Sequence, residues 1–269
     1  MSIIVKEILA KSALTHSRIE GIDFALNPYL GCAHGCRYCY ADFMKRFSNH
    51  HEPWGSFVDV KINIAQLLDK ELKRRKYRSM NLSMIPDLEP GAWRVGHSVE
   101  KLVSLSTVTD PYQPLEKKYQ LTRRCLEILL HYQMPVSILT KSSLVLRDID
   151  LIKQFKNIDV GITITTDRDE IRKIFEPGAP PIQSRIDTLK ELHQQGIKTW
   201  VFVGPILPMD AHQLAQQVKD YIHHYYIDCM NYIPKSRSIY NQHQLQNALR
   251  PEYFEQCKAV LEKVFNDGL

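Results

Sequence analysis

The chain has 269 residues, 44% of them hydrophobic and 24% charged, with a formal net charge of +5 and a sequence pI of about 8.8. This is an ordinary globular composition, long enough to bury a full core within one domain or one α/β barrel, and it excludes a low-complexity or disordered chain. No uninterrupted apolar run approaches the ~18 residues that a membrane helix needs. The opening Met1-Ser-Ile-Ile-Val-Lys6 lacks the basic-then-apolar order of a secretion signal, so a cytoplasmic protein without a membrane partner is expected.

The first strand is expected just before the segment Asn27-Pro-Tyr-Leu-Gly-Cys-Ala-His-Gly-Cys-Arg-Tyr-Cys-Tyr40. Its C-x3-C-x2-C spacing lets the thiolates of Cys32, Cys36 and Cys39 wrap one iron–sulfur cube and leave one iron without a protein ligand. Four protein thiolates usually make a closed electron carrier, whereas an iron with open positions can bind and reduce a small molecule. Zinc is the alternative, with His34 or the His50-His51 pair as fourth ligand, although structural zinc sites more often show two separated ligand pairs. A disulfide does not suit an intracellular chain.

After a Trp54-Gly55 turn, a helix is expected from about Asn63, then a loop carrying Pro86, Pro90 and Gly91. Short β-branched runs then alternate with amphipathic stretches, the pattern of a parallel sheet with crossover helices. Strands are expected over 101–108, 136–140, 159–165, 199–203 and 228–233. Helices are expected over 115–133, 149–155 and 185–194. Another carries Ala211, Leu214, Ala215, Val218 and Ile222 on one face, and a closing helix carries Phe254, Cys257, Leu261, Val264 and Phe265. This makes six β/α units, too few for a closed eight-stranded barrel. Residues 1–22 read as an N-terminal extension, 23–240 as the barrel with an insertion at 43–100, and 241–269 as a C-terminal helical segment.

Active sites on such folds lie at the C-terminal ends of the strands. The groups there are Thr109 and Asp110, then Lys141, Thr163 and Thr165, Gly204, and Cys229, with Tyr112 and Tyr232 close by. Each has a plainer reading. Asp110-Pro111 can start a turn and cap a helix, Lys141 can be solvated, Gly204 can form an ordinary turn, and the tyrosines can be core or stacking residues. Cys125 and Cys257 fall on apolar helix faces and read as buried structural cysteines.

The cysteine loop, with aromatic Tyr38 before the third cysteine, resembles that of the radical S-adenosylmethionine (SAM) enzymes. Thr109-Asp-Pro-Tyr-Gln-Pro114, Leu139-Thr-Lys-Ser142, Glu176-Pro-Gly-Ala-Pro180 with Arg185, and Gly204-Pro-Ile-Leu-Pro208 narrow the resemblance to the spore photoproduct lyase-like group. It implies an open, partial (β/α)6 TIM-type barrel, a 4Fe-4S cluster and SAM. In the superfamily, SAM chelates the open iron, and one electron from the cluster breaks its bond to C5′. The resulting 5′-deoxyadenosyl radical abstracts hydrogen from unactivated C–H bonds.

Carried over by position, the resemblance implies that Cys32, Cys36 and Cys39 bind the cluster. Tyr38, Tyr40, Thr109 and Asp110 then contact SAM, Lys141 pairs with its carboxylate, Thr163 or Thr165 meets the ribose, and Gly204 lets backbone approach the cofactor. Tyr112 is a candidate radical relay and Cys229 a candidate hydrogen donor. Glu176 and Arg185 are expected to form an ion pair that fixes a loop. The electron donor implied is a flavodoxin or ferredoxin.

The resemblance does not fix the reaction. The lyase repairs a thymine dimer in DNA with a cysteine donor shortly before the Asp of the strand-two motif, whereas Ser106-Thr107-Val108-Thr109 holds no thiol. The basic run Lys70, Lys73, Arg74, Arg75, Lys76 and Arg78 permits a nucleic-acid partner, but Asp69 and Glu71 within it suit a solvated helix face. Three functions are carried forward: hydrogen abstraction from an organic substrate such as a peptide or protein, repair or modification of nucleic acid, and a noncatalytic iron–sulfur or zinc protein.

Overall fold

A computed structural model describes residues 3–82 and 101–268. The elements in chain order are β1 (Ile4–Ile8), β2 (Leu14–His16), β3 (Phe24–Leu26), β4 (Tyr29–Leu30), β5 (Phe57–Lys61), α1 (Ile64–Leu82), β6 (Val103–Leu105), α2 (Glu116–Tyr119), α3 (Leu121–His131) and β7 (Val136–Thr140). They continue with α4 (Ile149–Ile152), β8 (Ile158–Thr163), α5 (Asp169–Phe175), α6 (Ile182–Gln194), β9 (Lys198–Val203), α7 (Ala211–Val218), β10 (His224–Ile227), α8 (Ile233–Gln242) and α9 (Pro251–Asn266).

The main sheet has the order β10-β9-β8-β7-β6-β3-β2. Pairings from β3 through β10 are parallel and β2 joins antiparallel, so six parallel strands form the open, partial (β/α)6 barrel. Each strand presents alternate residues to opposite faces. Val136 and Ile138, Val160 and Ile162, and Val201 and Val203 are buried in the main apolar cluster with the helices. Leu139, Thr163 and Phe202, each next in the chain to one of these, face a cavity on the other side.

The helices supply matching apolar stripes. Leu121, Cys125, Leu126 and Leu129 of α3 are fully or nearly fully buried, as are Ile182, Ile186, Leu189 and Leu192 of α6. Each such aliphatic side chain contributes about 1.5–3 kcal/mol by leaving water. Cys257, Leu261, Val264 and Phe265 close the core from α9.

Several expectations need correction. The stretch expected as an N-terminal extension carries two strands of the fold over 4–16: β1 pairs in parallel with β5, and β2 pairs with β3. Part of the 43–100 segment likewise builds a second sheet, ordered β1-β5-β4. Its Pro86, Pro90 and Gly91 lie outside the described residues. The last strand is His224–Ile227 rather than 228–233: its pairing with β9 ends at Ile227 opposite Val203, and Asp228 turns the chain back by accepting from the Ile206 amide. Pro234 then starts α8, where its missing N–H costs nothing. Helix α5 escaped periodicity because seven residues give only Ile171 and Phe175 as an inward pair.

Candidate functional site

The chain leaves β3 through Asn27, whose side-chain oxygen accepts from the amides of Thr107 (3.0 Å) and Val108 (3.1 Å) after β6. Gly31 then opens the cysteine loop at φ +90°, which favours glycine, and a Cβ there would overlap the Phe57 carbonyl oxygen. Its own carbonyl accepts from Thr109 Oγ1 at 2.6 Å and Gln113 Nε2 at 3.3 Å. Gln113 also accepts from the Ala33 amide at 2.9 Å. The loop is thereby fastened to the segment after β6.

Its far side is fastened to the segment after β8. The Arg37 amide donates to the Phe175 carbonyl at 2.8 Å, and the Gly178 amide donates to the His34 carbonyl at 3.0 Å. The Tyr38 hydroxyl donates to Glu176 Oε1. That carboxylate is fully buried, pairs with fully buried Arg185, accepts from Thr165 Oγ1 at 3.0 Å and lies 3.8 Å from Lys141 Nζ. Burial alone would raise the Glu176 pKa, but Arg185 and Lys141 outweigh it and hold the carboxyl at about 2.

A second buried carboxylate works on the other side. Asp110 Oδ1 accepts from Thr140 Oγ1 (2.6 Å) and the Tyr112 amide (2.9 Å), while Oδ2 accepts from the Lys141 amide (2.9 Å) and faces His34 Nδ1 at 3.3 Å. Burial opposes the charged His34 ring, yet Asp110 and the Cys32 sulfur raise its pKa to about 10.

Between these supports lies a cavity of about 210 Å³. Cys32, Cys36, Cys39, Tyr38 and Tyr40 line it from the loop, with Thr109, Asp110, Lys141, Thr163, Gly204 and Cys229 at the strand ends. Two other lining groups, Ser106 Oγ and Trp54 Nε1, are buried and find no hydrogen-bond partner among the described residues. Burial pushes the Cys36 thiol well up and the Cys39 thiol to about 11, so occupancy by a metal would displace their protons. Among the described residues, no three His, Cys, Asp or Glu side chains converge on a point for one ion. Three thiols spread around a cavity, with a lysine and unpartnered polar atoms beyond them, fit a cluster with an additional polar ligand.

Two expected site residues are not brought to this cavity. Tyr112 is fully buried in the main core, because the Asp110 carboxylate accepts its amide in a tight turn that carries the ring inward. Thr165 is likewise buried, with its hydroxyl on Glu176, while Thr163 lines the cavity two residues earlier. Both Asp110 oxygens already serve the fold. The Tyr40 hydroxyl donates to the Thr107 carbonyl, leaving its ring at the cavity. His50 is held through its two ring nitrogens by Asp59 (2.8 Å) and Glu52 (3.0 Å) and does not line the cavity. Ser106, Trp54 and Phe202 are lining residues that sequence reasoning missed. Alternation with Val201 and Val203 was the available signal for Phe202.

The family model described as the radical SAM superfamily matches residues 26–216. An uncharacterized protein of Methanocaldococcus jannaschii is 36% identical over 228 residues, covering 84% of this chain and 77% of that protein. A protein of Pseudomonas phage M6 named radical SAM Nalpha-GlyT isomerase is 25% identical over 182 residues, covering 67% of this chain and 32% of that protein. Among solved structures, a spore photoproduct lyase complexed with a dinucleoside spore photoproduct superposes with a TM-score of 0.66 at 13% identity. That superposition covers 98% of this chain and 79% of the lyase.

Proposed function

The chain belongs to the radical SAM superfamily, which uses a 4Fe-4S cluster and SAM, and from that premise we propose that it abstracts hydrogen from an organic substrate bound over the cysteine loop. Bound there, the cluster and SAM would supply the one-electron reductive chemistry that takes this hydrogen, with methionine and 5′-deoxyadenosine as products. The electron comes from a flavodoxin- or ferredoxin-type donor. The observation that carries the reading is the meeting of Cys32, Cys36 and Cys39 with Thr109, Lys141 and Thr163 around one cavity.

In this reading the three cysteines hold three irons as thiolates. Lys141 offers its ammonium to the SAM carboxylate. Thr109 donates to the Gly31 carbonyl and accepts from Gln113 Nε2 at 3.1 Å, so its second lone pair is available to the SAM ammonium. The Tyr38 ring would receive the adenine and Thr163 the ribose, and Gly204 keeps the floor low where Phe202 packs on it. Cys229 lines the same cavity, and burial followed by the Asp228 carboxylate raises its pKa, keeping it a thiol. It gives a hydrogen atom to the product radical. The resulting thiyl is restored by one electron from the same protein donor and a proton.

A groove beside the cavity favours nucleic acid as a second substrate reading. Tyr40 and Tyr232 line both spaces, and Phe43, Lys45, Arg46 and Lys235 extend the groove, with Asp42 paired to Lys235. Exposed aromatic rings among cations suit stacked bases and phosphates. Salt-sensitive binding of a single-stranded oligonucleotide, weakened by Arg46→Gln/Lys235→Gln, supports this reading; binding indifferent to both removes it.

The first test is anaerobic cluster reconstitution followed by SAM and dithionite, with 5′-deoxyadenosine quantified beside Cys36→Ala. Wild type is expected to form it and the variant to form none. Iron binding without SAM cleavage, or preferential zinc binding, overturns the enzyme reading in favour of a structural or sensing site.

A further inference from the structure

The Glu176 carboxylate does more than neutralise Arg185. It accepts the Tyr38 hydroxyl from the cysteine loop, accepts Thr165 Oγ1 from the end of β8, and lies 3.8 Å from Lys141 Nζ after β7. The carboxylate is fully buried, while Lys141 and Tyr38 both line the cavity. Asp110 accepts the Lys141 amide at 2.9 Å, which fixes that residue's backbone and leaves its long side chain to be oriented by Glu176.

We propose that Glu176 is a positioning residue that couples Tyr38 to Lys141, so that the two cavity-facing groups bind SAM as one unit. The proposal rests on the assignment of Lys141 and Tyr38 to SAM made above. A buried carboxylate with partners on four segments, Arg185 of α6 included, is held in one arrangement, and loss of any partner disturbs the others. Tyr38 and Lys141 therefore report on each other through the one Glu176 oxygen that both approach. Arg185 supplies the fixed countercharge, with further donor bonds to the Thr163 carbonyl (3.1 Å) and the Pro180 carbonyl (3.0 Å).

The test is a SAM titration of the reconstituted holoprotein, read from the change that SAM makes in the EPR spectrum of the reduced cluster. Wild type, Tyr38→Phe, Lys141→Gln and the double variant are compared, with Glu176→Gln alongside. Tyr38→Phe keeps the ring and the Glu176–Arg185 pair, so its iron and sulfide content should stay at the wild-type level. Lys141→Gln and Glu176→Gln are expected to weaken SAM about tenfold or more, and Tyr38→Phe about threefold. The double variant should lose little more than Lys141→Gln alone, falling short of the product of the singles by up to about threefold, the signature of groups in one network. Tyr38→Phe and Lys141→Gln effects that simply multiply overturn the proposal, as does a fully loaded Glu176→Gln with wild-type SAM affinity. An unchanged affinity in Lys141→Gln instead overturns the SAM assignment on which the proposal stands. The four-member cycle decides the matter even if Glu176→Gln does not fold.

Discussion

Two buried carboxylates, Asp110 and Glu176, brace the cysteine loop from opposite sides, and both are held at about 2. Burial would raise each. His34, with the Thr140 and Lys141 donors, overcomes it for Asp110, and Arg185 and Lys141 overcome it for Glu176. Because the folded pKa values lie below the ordinary 3.8 and 4.5, the unfolded chain takes up these protons first. Their stabilisation is complete above those ordinary values and is lost as pH falls through them toward 2. Denaturant midpoints should accordingly rise slightly from about pH 7 to 5, as the unfolded chain's His34 takes up the proton it already holds when folded, and drop steeply below about pH 4. A midpoint unchanged down to about pH 3 would show that neither carboxylate is ion-paired as described. At this scale the sequence exposed the cysteine triplet and Lys141 because spacing and strand ends are visible in it. It concealed the dual use of Glu176, since a partner 138 positions from Tyr38 exists only after folding. Tyr112 and Thr165 were misplaced because a turn after a strand end redirects side chains in a way that alternation does not report.

The segment after α5 illustrates how one element shapes another. Gly178 lies so close to the cysteine loop that an added Cβ would overlap the Ala33 carbonyl oxygen and crowd the His34 backbone. Both obstacles are backbone atoms, so no side chain can swing aside. Gly178→Ala is expected to displace the loop, lower stability by about 1–3 kcal/mol as overpacking does, and reduce iron retained per chain after reconstitution. Wild-type melting with full iron content would mean that the loop yields freely there. Elements with long apolar stripes or β-branched runs were readable in advance: β7 falls on the expected Val136–Thr140, and α6 includes the expected 185–194. Helix α8 was not readable, because it buries only Ser236 and Tyr240. Strand β10 was displaced in the reading because its His-Tyr-Tyr-Ile sequence is partly exposed and carries little apolar signal.

Across the whole molecule, the cavity and the basic stretch of α1 occupy opposite ends of the barrel. The cavity lies at the C-terminal ends of the strands. The basic stretch lies at the other end: the Arg75 guanidinium sits 4.4 Å over the ring of Phe24, the first residue of β3, and Asp69 accepts from the hydroxyl of Tyr132, which closes α3 ahead of β7. Lys70, Lys73 and Arg74 are exposed there, whereas the side chains of Lys76 and Arg78 lie outside the described residues. The acidic neighbours are engaged in the fold, with Glu71 accepting the Ala13 and Leu14 amides and Asp69 pairing with Lys73. Net charge and motif order were legible in the chain; the separation of the two was not, because it depends on the direction in which α1 packs. Replacing Lys70 and Arg74 by glutamine should therefore leave 5′-deoxyadenosine yield within about twofold of wild type, as for surface changes remote from a site. Any salt-dependent adsorption to polyanions through this face should lose about two from the slope of its log–log salt plot. A tenfold loss of SAM cleavage in the same variant, with cluster content intact, would tie the basic end to the cavity through the barrel and contradict the separation.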